Sequence, residues 1–284
     1  MLRNRGETAS SLPWGQAPSW RRILARNSRR TVLAEENLKD GKDQTNEEVD
    51  TGTEPIVLTD RDIAVFKLTH EQRFICYNQI ATGFWKERSE MAKTCWHRVE
   101  RLEKAGYLHK EYSGRKKLHV YFATEKAVEE LKTRSLDSGI PTFKMRPYYD
   151  RNIGHDLNVT NIRLLFREFG LHQWTSERIL WEREHLFNKP DGVLTIRGRK
   201  IAIEYENGLT KSHARYQEML EYYNDHEGYR LLFVIIKGDT RDWLIDLKYD
   251  ARKIWFAGYK ELMNERENTL FENKRARFEL SRLL

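Results

Sequence analysis

The chain has 284 residues, 39% of them hydrophobic and 33% charged, and its 50 Lys+Arg against 43 Asp+Glu leave a net charge of +7. That length carries one or two domains with a real core, under a surface more ionic than the usual quarter of charged residues implies. The longest apolar run, Leu231-Leu232-Phe233-Val234-Ile235-Ile236, falls far short of the ~20 residues of a membrane span. Met1-Leu2-Arg3-Asn4-Arg5 opens no apolar stretch, so no secretory signal is expected. The only cysteines, Cys76 and Cys95, form neither a disulfide framework nor a thiolate zinc site. A cytoplasmic protein that does not engage membranes is the expectation.

The charge is unevenly placed. Residues 1–33 hold seven Arg and one Glu, whereas residues 34–56 hold two Lys and eight acids. With weak apolar periodicity, residues 1–56 read as a disordered basic arm and acidic linker, in which Trp20–Arg26 has the pattern of a short basic helix. Residues 57–136 hold 16 basic and 11 acidic side chains, residues 137–284 hold 25 and 23. The excess lies in the first of these segments, which is where a polyanion is expected to dock.

Residues 57–135 read as the first folded domain. Thr59 caps a helix carrying Ile63, Val65, Phe66 and Leu68. A second helix fits Ile75–Phe84, and a third runs from about Ser89 to Lys104, with Met91, Cys95, Val99 and Leu102 on one face. Gly106 supplies the left-handed residue that ends it. Tyr107–Tyr112 and Leu118–Phe122, around the basic turn Ser113-Gly114-Arg115-Lys116-Lys117, read as a hairpin, and Thr124 caps a last helix, Glu125–Leu131. Three helices followed by a hairpin with a basic tip resemble the winged helix-turn-helix family, with Arg98–Leu108 as the passage from recognition helix to wing. The resemblance implies that the third helix enters a DNA major groove while the wing touches the backbone. Lys93, Thr94, His97, Arg98 and Arg101 on the helix, with Arg115, Lys116 and Lys117 at the tip, are then the DNA-binding residues. Protein-binding winged helices leave a protein partner open as well.

A Pro- and Gly-containing linker leads to the second domain, residues 145–284. A helix is expected at His155–Phe169, a strand at Trp174–Glu184, and a hairpin pairing Asp191–Ile196 with Lys200–Glu206. Then follow a helix Lys211–Asn224, a buried strand Arg230–Ile236, a helix Asp242–Tyr249, a short strand Ile254–Phe256 and a long charged C-terminal helix. The order is αβββαβ, a mixed sheet flanked by helices. The expected fold class is thus α/β and α+β in two domains.

Alternate side chains of a strand share a face, so Glu204 and Glu206 point one way and Ile203 and Tyr205 the other, with Asp191 brought alongside by the tight turn. Three converging carboxylates repel unless a divalent cation neutralises them, and all-oxygen ligands suit Mg²⁺ or Mn²⁺. Pro190-Asp191, twelve residues, then Glu204-Tyr205-Glu206 is similar to the motif of the PD-(D/E)XK nuclease superfamily. That resemblance makes Asp191 and Glu204 metal ligands, with Glu206 completing the site in the place of the usual lysine. Lys211, at the start of the next helix, is expected to supply the missing positive charge. His155 is either a site residue or a hydrogen-bonded core histidine.

His155-Asp156-Leu157-Asn158-Val159-Thr160-Asn161, the Pro-Asp and Glu-x-Glu strands and Lys211-Ser212-x-x-Arg215-Tyr216, behind a winged helix, are similar to the replication-relaxation family of plasmids and other mobile elements, over roughly residues 57–236. The resemblance implies a metal-dependent DNA endonuclease acting on plasmid or mobile-element DNA, or a DNA-binding factor in plasmid replication or mobilisation that keeps the nuclease fold as a scaffold. A transcriptional repressor is the third option. Symmetric double-strand cutting would call for a homodimer.

Overall fold

The structure, a computed structural model, describes residues 56–85, 91–144, 152–183, 188–208 and 211–284. The basic arm and acidic linker expected at 1–56, apart from Ile56, lie outside the described residues, as do Ser89 and Glu184. The described chain is a mixed α/β assembly of the α+β kind.

Helix α1 (Asp60–Glu71) starts on a reciprocal cap: the Thr59 amide donates to Asp62 Oδ2 at 2.7 Å and the Asp62 amide to Thr59 Oγ1 at 3.4 Å. Ile75 does not begin the second helix as its apolar neighbours suggested. Strand β1 (Ile75–Cys76) precedes α2 (Tyr77–Phe84) and pairs Ile75 with Tyr121 and Cys76 with Val120. The extended backbone of Cys76 gives an entry to α2 that the Gln79 side chain closes by accepting from the Cys76 amide. Helix α3 (Met91–Lys104) ends at Gly106, whose φ of 77° suits glycine. Strands β2 (Leu108–Ser113) and β3 (Leu118–Ala123) are antiparallel, and α4 (Glu125–Thr133) follows, capped by Thr124. The three strands order β1-β3-β2.

Helix α5 (Ile153–Glu168) opens the second half. The expected strand Trp174–Glu184 is corrected to a three-residue β4 (Trp174–Ser176) and a helix α6 (Glu177–Arg183). Trp181 donates through its indole to Glu177, four residues back, a contact that a strand's spacing does not allow. Strands β5 (Gly192–Ile196) and β6 (Arg199–Glu206) join through Arg197-Gly198, both at positive φ, the two-residue turn that matches strand twist. Helix α7 (His213–Asp225), capped by Ser212, leads to β7 (Leu231–Ile236), and α8 (Arg241–Ile245) to β8 (Ile254–Gly258). The long C-terminal helix is a second correction. Helix α9 (Tyr259–Glu265) stops where Arg266 turns to a φ of 60°, and the hairpin β9 (Leu270–Glu272) and β10 (Arg277–Glu279) follows. Phe271 and Phe278 stack across it, and Phe271 packs 4.5 Å from Phe233. That apolar anchor outweighs the helical charge pattern.

The large sheet orders β10-β9-β8-β7-β6-β5-β4, with β6, β7 and β8 parallel and the other pairs antiparallel. Ile201, Ile203 and Tyr205 join Val159, Ile162 and Phe166 of α5 in one core, and Ala202, Val234 and Ile236 join Tyr216, Leu220 and Tyr223 of α7 in another.

The described residues, Ile56 onwards, form one compact unit. Leu164 of α5 belongs to the core of the first half, and a Cβ on Gly83 would come within 2.8 Å of its Cδ2. Phe74, Val120 and Phe122 pack on Ile153 and Leu157. No described helix is long and apolar enough to cross a membrane.

Candidate functional site

The alternation of β6 places Glu204 and Glu206 on the α7 face, since Ile203 and Tyr205 are in the α5-facing core. Gly192 pairs with Ile203 in antiparallel register, which brings Asp191, just before β5, opposite Glu204. Each carboxylate has its own partners. Asp191 Oδ2 accepts from the Tyr205 amide at 2.7 Å and lies 3.3 Å from His155 Nε2. Glu204 is buried and accepts from the Tyr223 hydroxyl at 2.6 Å. Glu206, also buried, forms an ion pair with Lys211 and a 3.1 Å hydrogen bond with the Tyr216 hydroxyl.

The electrostatics follow from this packing. Burial drives the Glu204 carboxyl well above the ordinary carboxylate range, the charges of Asp191 and Glu206 add to the rise, and Lys211 and the Tyr223 bond offset only part of it. Lys211 loses some basicity to burial but is raised overall by Glu206 and Glu204. Burial alone would favour neutral His155. The charge of Asp191 and hydrogen bonds to Asp156 and Asp191 overturn that and lift the imidazole to about 11. It is an imidazolium held between two carboxylates, with Tyr205 edge-on at 5.3 Å.

The three expected carboxylates therefore share one neighbourhood with different partners. Among the described residues, no group of three or more His, Cys, Asp or Glu side chains is placed to hold a metal ion. Glu206 is taken up by Lys211 and Tyr216. Asp191 and Glu204 remain as a pair of hard oxygen donors, one of them a buried carboxyl whose repulsion Lys211 and Tyr223 offset only in part. Mg²⁺ and Mn²⁺ take hard oxygen donors and are commonly held by one or two carboxylates together with waters and substrate phosphate.

On the first half, Lys93, Thr94, His97 and Arg101 are exposed along α3, and Arg115, Lys116 and Lys117 are exposed at the hairpin turn. The Lys116 side chain lies against Gly154, at the start of α5, where a glycine leaves room for it. Arg98 departs from the expected DNA-facing role. Its guanidinium turns inward to the fully buried Asp62, with Nε at 3.0 Å, and donates to the Val57 carbonyl at 2.7 Å. A buried carboxylate at the start of α1 needs a counter-ion, and Arg98 is the residue that reaches it.

A family model described as replication-relaxation matches residues 66–230, more than half of the chain. The chain belongs to the replication-relaxation family. Membership ties it to the replication and mobilisation of plasmids. Comparisons with curated proteins and with solved structures return no match.

The matched stretch of this replication-relaxation protein runs from α1 to the edge of β7 and takes in His155, Asp191, Glu204, Glu206 and Lys211. Sequence reasoning missed two supports of that site. Tyr223 sits on what read as a purely apolar face of α7, although its hydroxyl is bonded to Glu204. Asn158 donates to the Tyr205 hydroxyl at 2.7 Å, fixing the residue between the two glutamates. The available signal was the spacing of Tyr216 and Tyr223, two turns apart on the helix after the carboxylates, where an all-aliphatic face would have sufficed for packing.

Proposed function

We propose that this protein is a Mg²⁺- or Mn²⁺-dependent DNA endonuclease in which residues 57–135 act as a winged helix-turn-helix and the large sheet as a PD-(D/E)XK-like core. The observation that carries the reading is the pairing of Asp191 and buried Glu204, where β5 begins and β6 ends, with Lys211 beside them. The order α5-β4-β5-β6-α7-β7 supports it, interrupted only by the short α6. The lysine that the motif lacks at position 206 is replaced in space: Glu206 anchors the Lys211 ammonium near Glu204.

Asp191 and Glu204 would hold the cation, which when bound supplies an activated water and neutralises charge on the scissile phosphate. Lys211 is placed to meet developing negative charge. His155 and the Tyr205 amide keep Asp191 oriented. Supercoiled plasmid incubated with Mg²⁺ or Mn²⁺ is expected to be nicked by wild type and left intact by Asp191→Ala. Equal nicking by the variant, or none by wild type with either metal, rejects the enzyme.

For DNA docking, the exposed cations of α3 and the turn are expected to make phosphate contacts. Replacing Lys93, Arg101 and Lys117 together by Ala should reduce the slope of log K against log salt by about 2 to 3 in fluorescence anisotropy. An unchanged slope would remove this surface from the interface. A non-cleaving DNA-binding factor is the second reading, favoured by Glu206 being already matched by Lys211 and Tyr216. Retained binding without nicking selects it.

A further inference from the structure

Arg73 lies on the turn that leaves α1, in the half assigned to DNA docking, at a φ of 76° that L residues rarely adopt. Its guanidinium points into the other half. Nη2 lies 2.6 Å from Glu177 Oε2 and Nη1 3.6 Å from Asp156 Oδ2. Asp156 Oδ1 in turn lies 3.3 Å from His155 Nδ1, and His155 Nε2 3.3 Å from Asp191 Oδ2. The result is a line of contacting polar side chains, Glu177, Arg73, Asp156, His155, Asp191, that begins at the end of α6 nearest β4 and ends at a carboxylate of the site.

Neighbours in this line lie 2.6 to 3.6 Å apart, so each holds the next in place, and Asp156 is buried. In such surroundings an ion is tolerated only with a partner. The halves are joined independently by Glu71 with Arg163, by Gln79 with Asn161 and by Gly83 against Leu164. Arg73 is therefore one of several ties between them.

We propose that Arg73 is a positioning residue for the carboxylate site: through Asp156 and His155 it sets Asp191, so that the DNA-docking half supplies one of the ions on which the other half's site depends. The inference deepens the nuclease reading and rests on it for its consequence, but not for its geometry.

The test uses the full chain with Arg73→Gly and Arg73→Lys. Glycine suits the positive φ and removes the guanidinium with the rest of the side chain, while lysine restores the charge. Two readouts are needed: the ring-nitrogen NMR signals of His155 without metal, assigned by their loss in His155→Asn, and the affinity for Mn²⁺ by calorimetry. Arg73→Gly should move the His155 signals and weaken Mn²⁺ binding about tenfold, as loss of an outer partner of a metal ligand does, and Arg73→Lys should recover both. If Arg73→Gly fails to fold, Arg73→Gln serves the same comparison. Unmoved His155 signals in the charge-free variant overturn the proposal. A wild type that binds no Mn²⁺ overturns the nuclease reading instead, and the His155 signals still decide the role of Arg73.

Discussion

Glu204→Gln is expected to make the metal-free protein more stable while abolishing metal-dependent nicking. The buried carboxyl is held at a raised pKa by desolvation and by repulsion from Asp191 and Glu206. A neutral isostere keeps the space and a partner for the Tyr223 hydroxyl but removes the repulsion. The gain should be about 1 kcal/mol, read as a rise of about 3 °C in Tm. Because the folded pKa lies above the unfolded value of 4.5, the wild type's protonated form favours folding at acid pH. That contribution is lost as pH rises through the folded value. The advantage of Gln should accordingly be absent near pH 4 and grow towards pH 8. Activity moves the other way, since losing a cation ligand removes about 4 kcal/mol of transition-state stabilisation, about 10³-fold in rate. A Gln variant that is less stable at every pH, or that still nicks, would show Glu204 to be a packing residue.

The second large effect lies where the halves meet. Glu71, at the end of α1, forms an ion pair with Arg163 of α5, lies 2.9 Å from Lys67 Nζ and accepts from Ser138 at 2.6 Å. Burial disfavours its charge, but Arg163, then Lys67 and the Ser138 bond, prevail and draw the carboxyl from 4.5 to about 2. Glu71→Gln should cost about 3 kcal/mol at pH 7, measured by urea unfolding. A depressed carboxylate stabilises above its unfolded pKa and loses that contribution as pH falls from 4.5 towards 2. The gap between wild type and Glu71→Gln should therefore be full at pH 7 and narrow by pH 3. A gap below about 0.5 kcal/mol at pH 7, or one that does not change with pH, would show that Arg163 and Glu71 are not joined in solution.

Much of the molecule was legible because short-range rules carried it. The Thr59 and Thr124 caps, the Gly106 stop and the turn at Arg197-Gly198 are decided by neighbours within four residues. The facing of Glu204 and Glu206 follows from the two-residue period of a strand. Illegible were the features set by distant contacts. Trp174–Glu184 looked like a strand, yet the chain turns into helix at Glu177, where Arg178 bonds to the carbonyls of His70 in the other half and of Pro141 between the halves. The C-terminal hairpin owes its form to Phe271 meeting Phe233, 38 positions earlier in the chain.

The candidate site divides in the same way. From the sequence alone came its membership: Asp191, Glu204, Glu206, Lys211 and His155, and the replacement of a lysine at 206 by a lysine at 211. Only the tertiary structure assigned their duties. It turned Glu206 to Lys211, left Asp191 and Glu204 as the pair, made His155 the imidazolium beside Asp191, and linked that histidine to Arg73 across the two halves. It also withdrew Arg98 from the exposed face of α3 to neutralise Asp62. Periodicity states which side chains share a face; which of several opposite charges pair is decided by distance and burial, and these exist only once the chain has folded.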